Sequence, residues 1–227
     1  ARRATVSAFC FHHSIATVPM IRLALFADIH GKFLLPFKLA HHYQQTTGKS
    51  IDLIVQCGDM GAFPDKSRMD RHAARDRDEL GFMDDFVHAK PPIAQFLDRL
   101  NLNMLCVRGN HEDHEFLDEL ERQSVQAAFP IDAYRRVWVL KTGEPFVLQK
   151  DGESLEILGI GHTGEAYRQD LADNGITRSV KIKELEFDGQ GKLSEGCMLI
   201  LEVEQKKGDK LFTLSPVPLN EIIHFMR

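Results

Sequence analysis

Asp28, His30, Asp59, Asn110 and His111 are residues whose types could do chemistry together. They sit in three short fragments, Asp28-Ile29-His30, Gly58-Asp59 and Arg108-Gly109-Asn110-His111-Glu112, set far apart along the chain. Each fragment directly follows an apolar run that reads as a buried β-strand: Ile21–Ala27, Ile51–Cys57 and Leu102–Val107. In a sheet of parallel strands, the segments leaving the carboxyl ends share one edge, where ligand sites form. Hard oxygen donors mixed with imidazole nitrogen suit Mn, Fe or Zn better than Ca. The spacing therefore predicts a metal site.

The elements that must position these fragments can be read between them. Pro36–Gln45 reads as a short helix after the first fragment, closed by Gly48. Pro91–Leu100 reads as a helix with proline in its first turn, leading into the third strand. Glu112, Asp113 and Glu115 stand where acidic residues favour a helix N-terminus, ahead of Phe116, Leu117 and Leu120. Phe63–Lys90 is dense in charge, with Leu80, Phe82, Met83 and Phe86 as its apolar anchors. Its default reading is a solvated helical face. Because it leaves straight from Gly58-Asp59, a lid over the substrate is the functional alternative. Past Gly164, alternation in Val180–Phe187, Met198–Glu204 and Leu211–Leu214, with turns at Asp188-Gly189 and Lys207-Gly208-Asp209, reads as a β-hairpin or meander. The sequence contains no internal repeat and no low-complexity tract.

In this order, and each after a strand, Asp-x-His, Gly-Asp and Gly-Asn-His-Glu resemble the first three blocks of the calcineurin-like metallophosphoesterases. The Arg108–Glu112 block is the most specific of the three, and the match runs from Ile21 to about Glu119. The resemblance implies an α/β fold: a two-sheet sandwich flanked by helices, with the C-terminal meander completing the second sheet. It implies a phosphoesterase that hydrolyses a mono- or diester through a metal-activated water. Two divalent ions, Mn favoured over Fe, Zn or Mg, would sit about 4 Å apart, neutralising phosphate oxygens. Asp28 and His30 would hold one ion, Asn110 the other through its side-chain oxygen, and Asp59 would bridge them. His111 would face the leaving group as general acid, work suited to an imidazole with a pKa near about 6.5. Arg108 could clamp a phosphate oxygen with its paired donors. For Glu112, orienting His111 and a surface or helix-start role stand as equal alternatives. Cys57-Gly58-Asp59 followed by an insertion is also similar to RNA lariat debranching enzymes, which adds nucleotides and nucleic acids to the substrate classes.

The pattern then departs from the family. Two further histidine blocks are expected, an isolated His before a proline and then Gly-His-x-His. This chain has Gly161-His162-Thr163-Gly164, with Gly164 in place of the second histidine, and no histidine between Glu115 and Gly161. His162 is thus a metal ligand or a turn histidine at the same edge. The run Leu155–Ile160 reads as the strand that should precede the missing block, so a segment is expected to be absent there. A first shell short of ligands holds its ion weakly. His114, three residues past His111, could substitute if both begin a helix. His41-His42, His72, His88 and His12-His13 read as solvated or incidental.

Composition bounds the rest. At 227 residues the chain can build one substantial core, taken as residues 20–227 with the charged insertion 63–90. No apolar run reaches the roughly 20 residues that cross a bilayer, so no membrane partner is expected. A net charge of −5 does not suggest general nucleic-acid affinity and leaves room for a local basic groove. Cys10, Cys57, Cys106 and Cys197 show no Cys-x-x-Cys spacing. Inert packed thiols in a reducing, cytoplasmic setting are the reading. Residues 1–19 hold Arg2 and Arg3, several Ser and Thr and no acid, as transit peptides do. An upstream extension before Met20 is the preferred reading.

Two other functions stay open at this point. One is a catalytically impaired scaffold or binding protein on the same fold, favoured by the incomplete histidine blocks. The other is an unrelated α/β protein binding an anion at its strand ends. The absence of a Gly-x-Gly-x-x-Gly or Walker lysine motif counts against that last reading.

Overall fold

The computed structural model describes residues 20–69, 80–161, 198–206 and 209–216. Residues 1–19, His72, His162 and the Val180–Phe187 run lie outside them, as do the readings attached to each.

Among the described residues the centre is a seven-stranded sheet in the order β4-β5-β3-β2-β1-β8-β9. Its members are β1 (Met20–Phe26), β2 (Leu53–Cys57), β3 (Met104–Val107), β4 (Ala128–Pro130), β5 (Val137–Leu140), β8 (Leu199–Lys206) and β9 (Asp209–Pro216). Strands β1, β2, β3 and β5 pair in parallel, with Phe26 beside Gln56 and Cys57 beside Val107. The three fragments therefore leave the sheet at one edge, as their spacing after the strands requires.

Alternation along each strand sends side chains to two different cores. Ala24, Phe26, Ile54, Met104, Cys106, Val137 and Val139 face one way. There they meet helices α1 (Leu34–Thr47), α2 (Gly81–Asp85), α3 (Pro91–Leu100) and α4 (His114–Gln123), which contribute Phe37, Phe82, Leu97 and Leu117. Ile21, Leu23, Leu53, Val55, Leu105 and Leu140 face the other way. They are covered by Phe146, Leu148, Leu155 and Ile157 from a separate hairpin, β6 (Pro145–Lys150) paired with β7 (Glu153–Leu158). Among the described residues this makes three layers: helices, large sheet, small sheet.

The two-sheet α/β expectation holds, but one detail is corrected. The C-terminal hairpin β8–β9 does not complete the small sheet. It extends the large one, with β8 antiparallel to β1 from Met20↔Glu204 to Leu25↔Leu199. The reason is an open edge: β1 already offers one side to β2, and its other backbone side needs a partner. Arg22 reinforces the pairing through Glu202 at 2.8 Å. Strands β4, β5 and β6 have no counterpart in the sequence reading. They are short, and Ala128–Pro130 and Val137–Leu140 carry no turn signal strong enough to separate them from loop.

The helices end where their sequence says. Gly48 closes α1 in the left-handed conformation, φ 68°, its amide bonded to the Gln44 carbonyl. Proline opens α3, and Asp113 caps α4 by accepting from the Phe116 amide at 3.1 Å. The charged insertion is corrected in part. Phe82 and Phe86 are fully buried, their rings tilted against Phe33 with centroids at 4.9 and 5.5 Å, so these anchors belong to the core rather than to a solvated face. No helix among the described residues is long and apolar enough to cross a membrane.

Candidate metal centre

The three fragments are stitched together by their own backbones. Asp28 donates its amide to the Gly58 carbonyl at 3.1 Å, His30 to Asp59 at 3.1 Å and Gly31 to Met60 at 2.7 Å. From the third fragment, His111 accepts at its carbonyl from the Gly61 amide at 3.1 Å, and Asp113 donates to Ala62 at 3.3 Å. Close approach makes this possible. Gly61, at φ 73°, has no room for a Cβ, which would fall 2.4 Å from the Gly31 nitrogen.

Asp28, His30 and Asp59 each bring one ligand atom to a common point, all within 4.8 Å of one another. All three adopt a left-handed backbone, φ 52°, 42° and 53°. Asp and His tolerate that region better than most residues, yet it carries strain of order 1 kcal/mol that the surroundings must hold. Three such residues converging on one point mark an arrangement built for its side chains rather than for its backbone.

Asp59 also anchors the third fragment. Its Oδ1 accepts from the Asn110 amide at 2.7 Å and the His111 amide at 3.1 Å. Asn110 is thereby held at the same loop cluster, on the exposed side. The His111 ring meets the His30 ring edge to face, centroids 5.2 Å apart, and its buried Nδ1 has no hydrogen-bond partner among the described residues. Two carboxylates and an imidazole form a donor set that fits a divalent ion of the Mn, Fe or Zn type, and the His111 ring stands beside it.

Two of the expected roles are corrected. Arg108 does not present its guanidinium to this edge. Its side chain is buried, paired with Asp118 and Glu121 of α4, and lies 5.9 Å above the Phe129 ring. A guanidinium 10 and 13 residues from two carboxylates on the next helix satisfies itself there. Glu112 takes no part at the helix start or surface. It is 6% exposed, and its carboxylate accepts from the amides of Gly109 (2.8 Å), Met60 (3.0 Å), Gly61 (2.9 Å) and Ala62 (3.4 Å). Burial pushes its pKa up to about 7, against the pull of those four amides. Nothing in the sequence distinguished this carboxylate from its acidic neighbours; only the folded loop shows what it binds.

The remaining candidates sort as follows. His114 opens α4 but is outside the Asp28, His30 and Asp59 group. His41 is exposed and packs edge-on against Phe96, and His88 is exposed, as expected. Gly161, the residue before His162, lies against the Arg108 backbone, where a Cβ would come within 3.0 Å of the Arg108 nitrogen. Cys57 and Cys106 are free thiols. Burial, helped by the negative Asp28, raises Cys57 to about 11, and burial holds Cys106 well above the usual thiol range, so both are inert packed thiols at neutral pH.

Comparison with known proteins follows this geometry. Among solved structures, a conserved uncharacterized protein of Streptococcus pneumoniae TIGR4, described as a predicted phosphoesterase, aligns over 88% of this chain and 100% of its own. Its identity is 12% and its TM-score 0.34, a likeness too slight to bear weight. No curated protein sequence matches. The family model for the calcineurin-like phosphoesterases matches residues 21–226, and the chain belongs to that family.

Proposed function

We propose that this protein hydrolyses a phosphate mono- or diester at the edge formed by Asp28, His30, Asp59, Asn110 and His111. The observation that carries the reading is the convergence of Asp28, His30 and Asp59 ligand atoms within 4.8 Å, beside the His111 ring. Family membership supports phosphoesterase chemistry and metal use.

In this reading Asp28 and His30 would hold one divalent ion, Asn110 and His162 would hold the other, and Asp59 would serve both. Mn is favoured, with Fe, Zn and Mg as alternatives. Such ions supply charge to offset the phosphate oxygens and to bring a water's pKa toward neutrality. The chain's own groups do the rest. Asp59, fixed at Oδ1 by two amides, holds its second oxygen in one direction without rearrangement. His111 gives a proton to the departing alkoxide, which would otherwise leave as a strong base. A nucleotide or nucleic-acid diester is the finer substrate expectation, resting on the insertion after Gly58-Asp59. Gly164, standing where a second histidine is expected, favours the impaired scaffold as a second reading, with the second ion loosely held.

Metal analysis of purified protein, with hydrolysis of an aryl phosphodiester and monoester measured with and without added Mn, separates these. Asp59→Asn should abolish turnover and lower bound metal. Metal bound without turnover would select the scaffold; protein that takes up no metal would defeat both.

A further inference from the structure

Glu112 is a buried side chain at this edge that bonds both to the third fragment and to the loop after Asp59, and it belongs to no proposed ligand set. Its Oε1 accepts from Gly109 and Met60, its Oε2 from Gly61 and Ala62. The carboxylate thus spans the gap between the third fragment and the loop that follows Asp59, Oε1 bonding to both sides and Oε2 to the loop alone. Gly61 shares its amide between Glu112 and the His111 carbonyl, but the amides of Gly109, Met60 and Ala62 have no other acceptor among the described residues, and an unsatisfied buried donor is costly enough to reshape a loop. The consequence reaches beyond Glu112 itself. Asp59 is the residue immediately before Met60, and its Oδ1 must meet the Asn110 and His111 amides, while Asn110 follows Gly109 directly. Glu112 therefore grips the residue next to each member of the Asp59–Asn110 contact.

We infer that Glu112 is a positioning residue that sets the spacing between Asp59 and the Asn110-His111 pair, and through it the metal centre proposed above. It touches no substrate. It acts as a four-amide template on which the two loops close, and a shorter or uncharged side chain cannot satisfy all four donors. Glutamine keeps the shape but replaces one acceptor oxygen with a donor, which then faces amide donors. The inference rests on the phosphoesterase reading only in its metal arm.

The test compares the whole 227-residue chain as parent with Glu112→Gln, Glu112→Ala and a control, Asp132→Asn. Asp132 is also a buried carboxylate accepting from backbone amides, those of Tyr134, Arg136 and Val137, but it lies before β5, at the sheet edge opposite the site. Amide exchange is followed by NMR in the metal-free protein, and Mn affinity by calorimetry. Exchange at Asn110 and His111, whose acceptor is Asp59 and not Glu112, should quicken at least tenfold in both Glu112 variants and stay at the parent rate in Asp132→Asn. Mn affinity should fall about 10- to 100-fold in Glu112→Gln, the range seen when a partner behind the ligands is lost. It should hold in the control even where thermal stability drops equally. Unchanged exchange at Asn110 and His111 in the Glu112 variants, or an equal change in Asp132→Asn, overturns the inference. Unchanged Mn affinity in Glu112→Gln overturns it as well. A parent that binds no Mn defeats the metal reading instead, and the exchange arm then decides Glu112 alone.

Discussion

Gly109 and Asp59 meet with no space between them: a Cβ on Gly109 would fall 2.0 Å from the Asp59 nitrogen and 2.1 Å from its Oδ1. The Asp59 carboxylate occupies the place a side chain at 109 would need. Gly109→Ala must therefore push the third fragment away from Asp59 and break the Asn110 and His111 amide contacts. A shift of about 1 Å at reacting groups is enough to lower kcat/KM by about 100-fold. Steady-state kinetics with metal analysis on the same samples should show both activity and bound metal reduced, with the fold retained by circular dichroism.

His111 as proton donor predicts a dependence on the leaving group. An alkyl ester needs a proton at the departing oxygen, whereas a nitrophenyl ester leaves readily without one. His111→Ala should lose about 100- to 10,000-fold on an alkyl phosphate and markedly less on the nitrophenyl ester, with bound metal unchanged. Equal losses on the two substrates would remove the general-acid role.

Arg108, placed by the fold against α4, should behave as a structural residue. Removing it empties the buried space over Phe129 and leaves Asp118 and Glu121 without their partner. Arg108→Ala should lower stability by about 1–3 kcal/mol in urea unfolding. KM for a phosphate ester should stay within a few-fold of the parent. A large rise in KM without a stability change would restore the phosphate clamp.

The far side of the sheet carries a pH signature. The Arg22 guanidinium, bonded to Glu202 at 2.8 Å, holds that carboxyl below the ordinary glutamate range of about 4.5, with Lys49 assisting. A carboxyl whose folded pKa is depressed stabilises the protein above its unfolded value and loses that contribution as pH falls through the folded value. Glu202→Gln should thus be less stable than the parent by about 1–3 kcal/mol at pH 7, and the gap should narrow below about pH 4.5. Urea titrations across that range measure it directly.

How much of this was legible beforehand differs from residue to residue. The fragments Asp28-Ile29-His30, Gly58-Asp59 and Arg108–Glu112 could be placed at one sheet edge because local signals carry the information. Apolar runs mark parallel strands, and whatever follows their carboxyl ends is brought together by the sheet. The α3 start at Pro91 and the α1 stop at Gly48 were legible for the same local reason, since proline and glycine act on their own backbone. Phe82 and Phe86 were visible as anchors but not as core, because only Phe33 and Phe37 from another segment decide that they are buried.

By itself, then, the amino-acid order determined which residue types leave each strand, and hence the chemistry available at that edge. Tertiary structure alone decided which of several equivalent charged side chains serves it. Arg108 turned to Asp118 and Glu121, Glu112 turned inward to four amides, and β8 joined β1 rather than the small sheet. The physical reason is common to all three. A buried donor, acceptor or strand edge is satisfied by whichever partner the fold brings within about 3 Å, and that partner is rarely close in sequence.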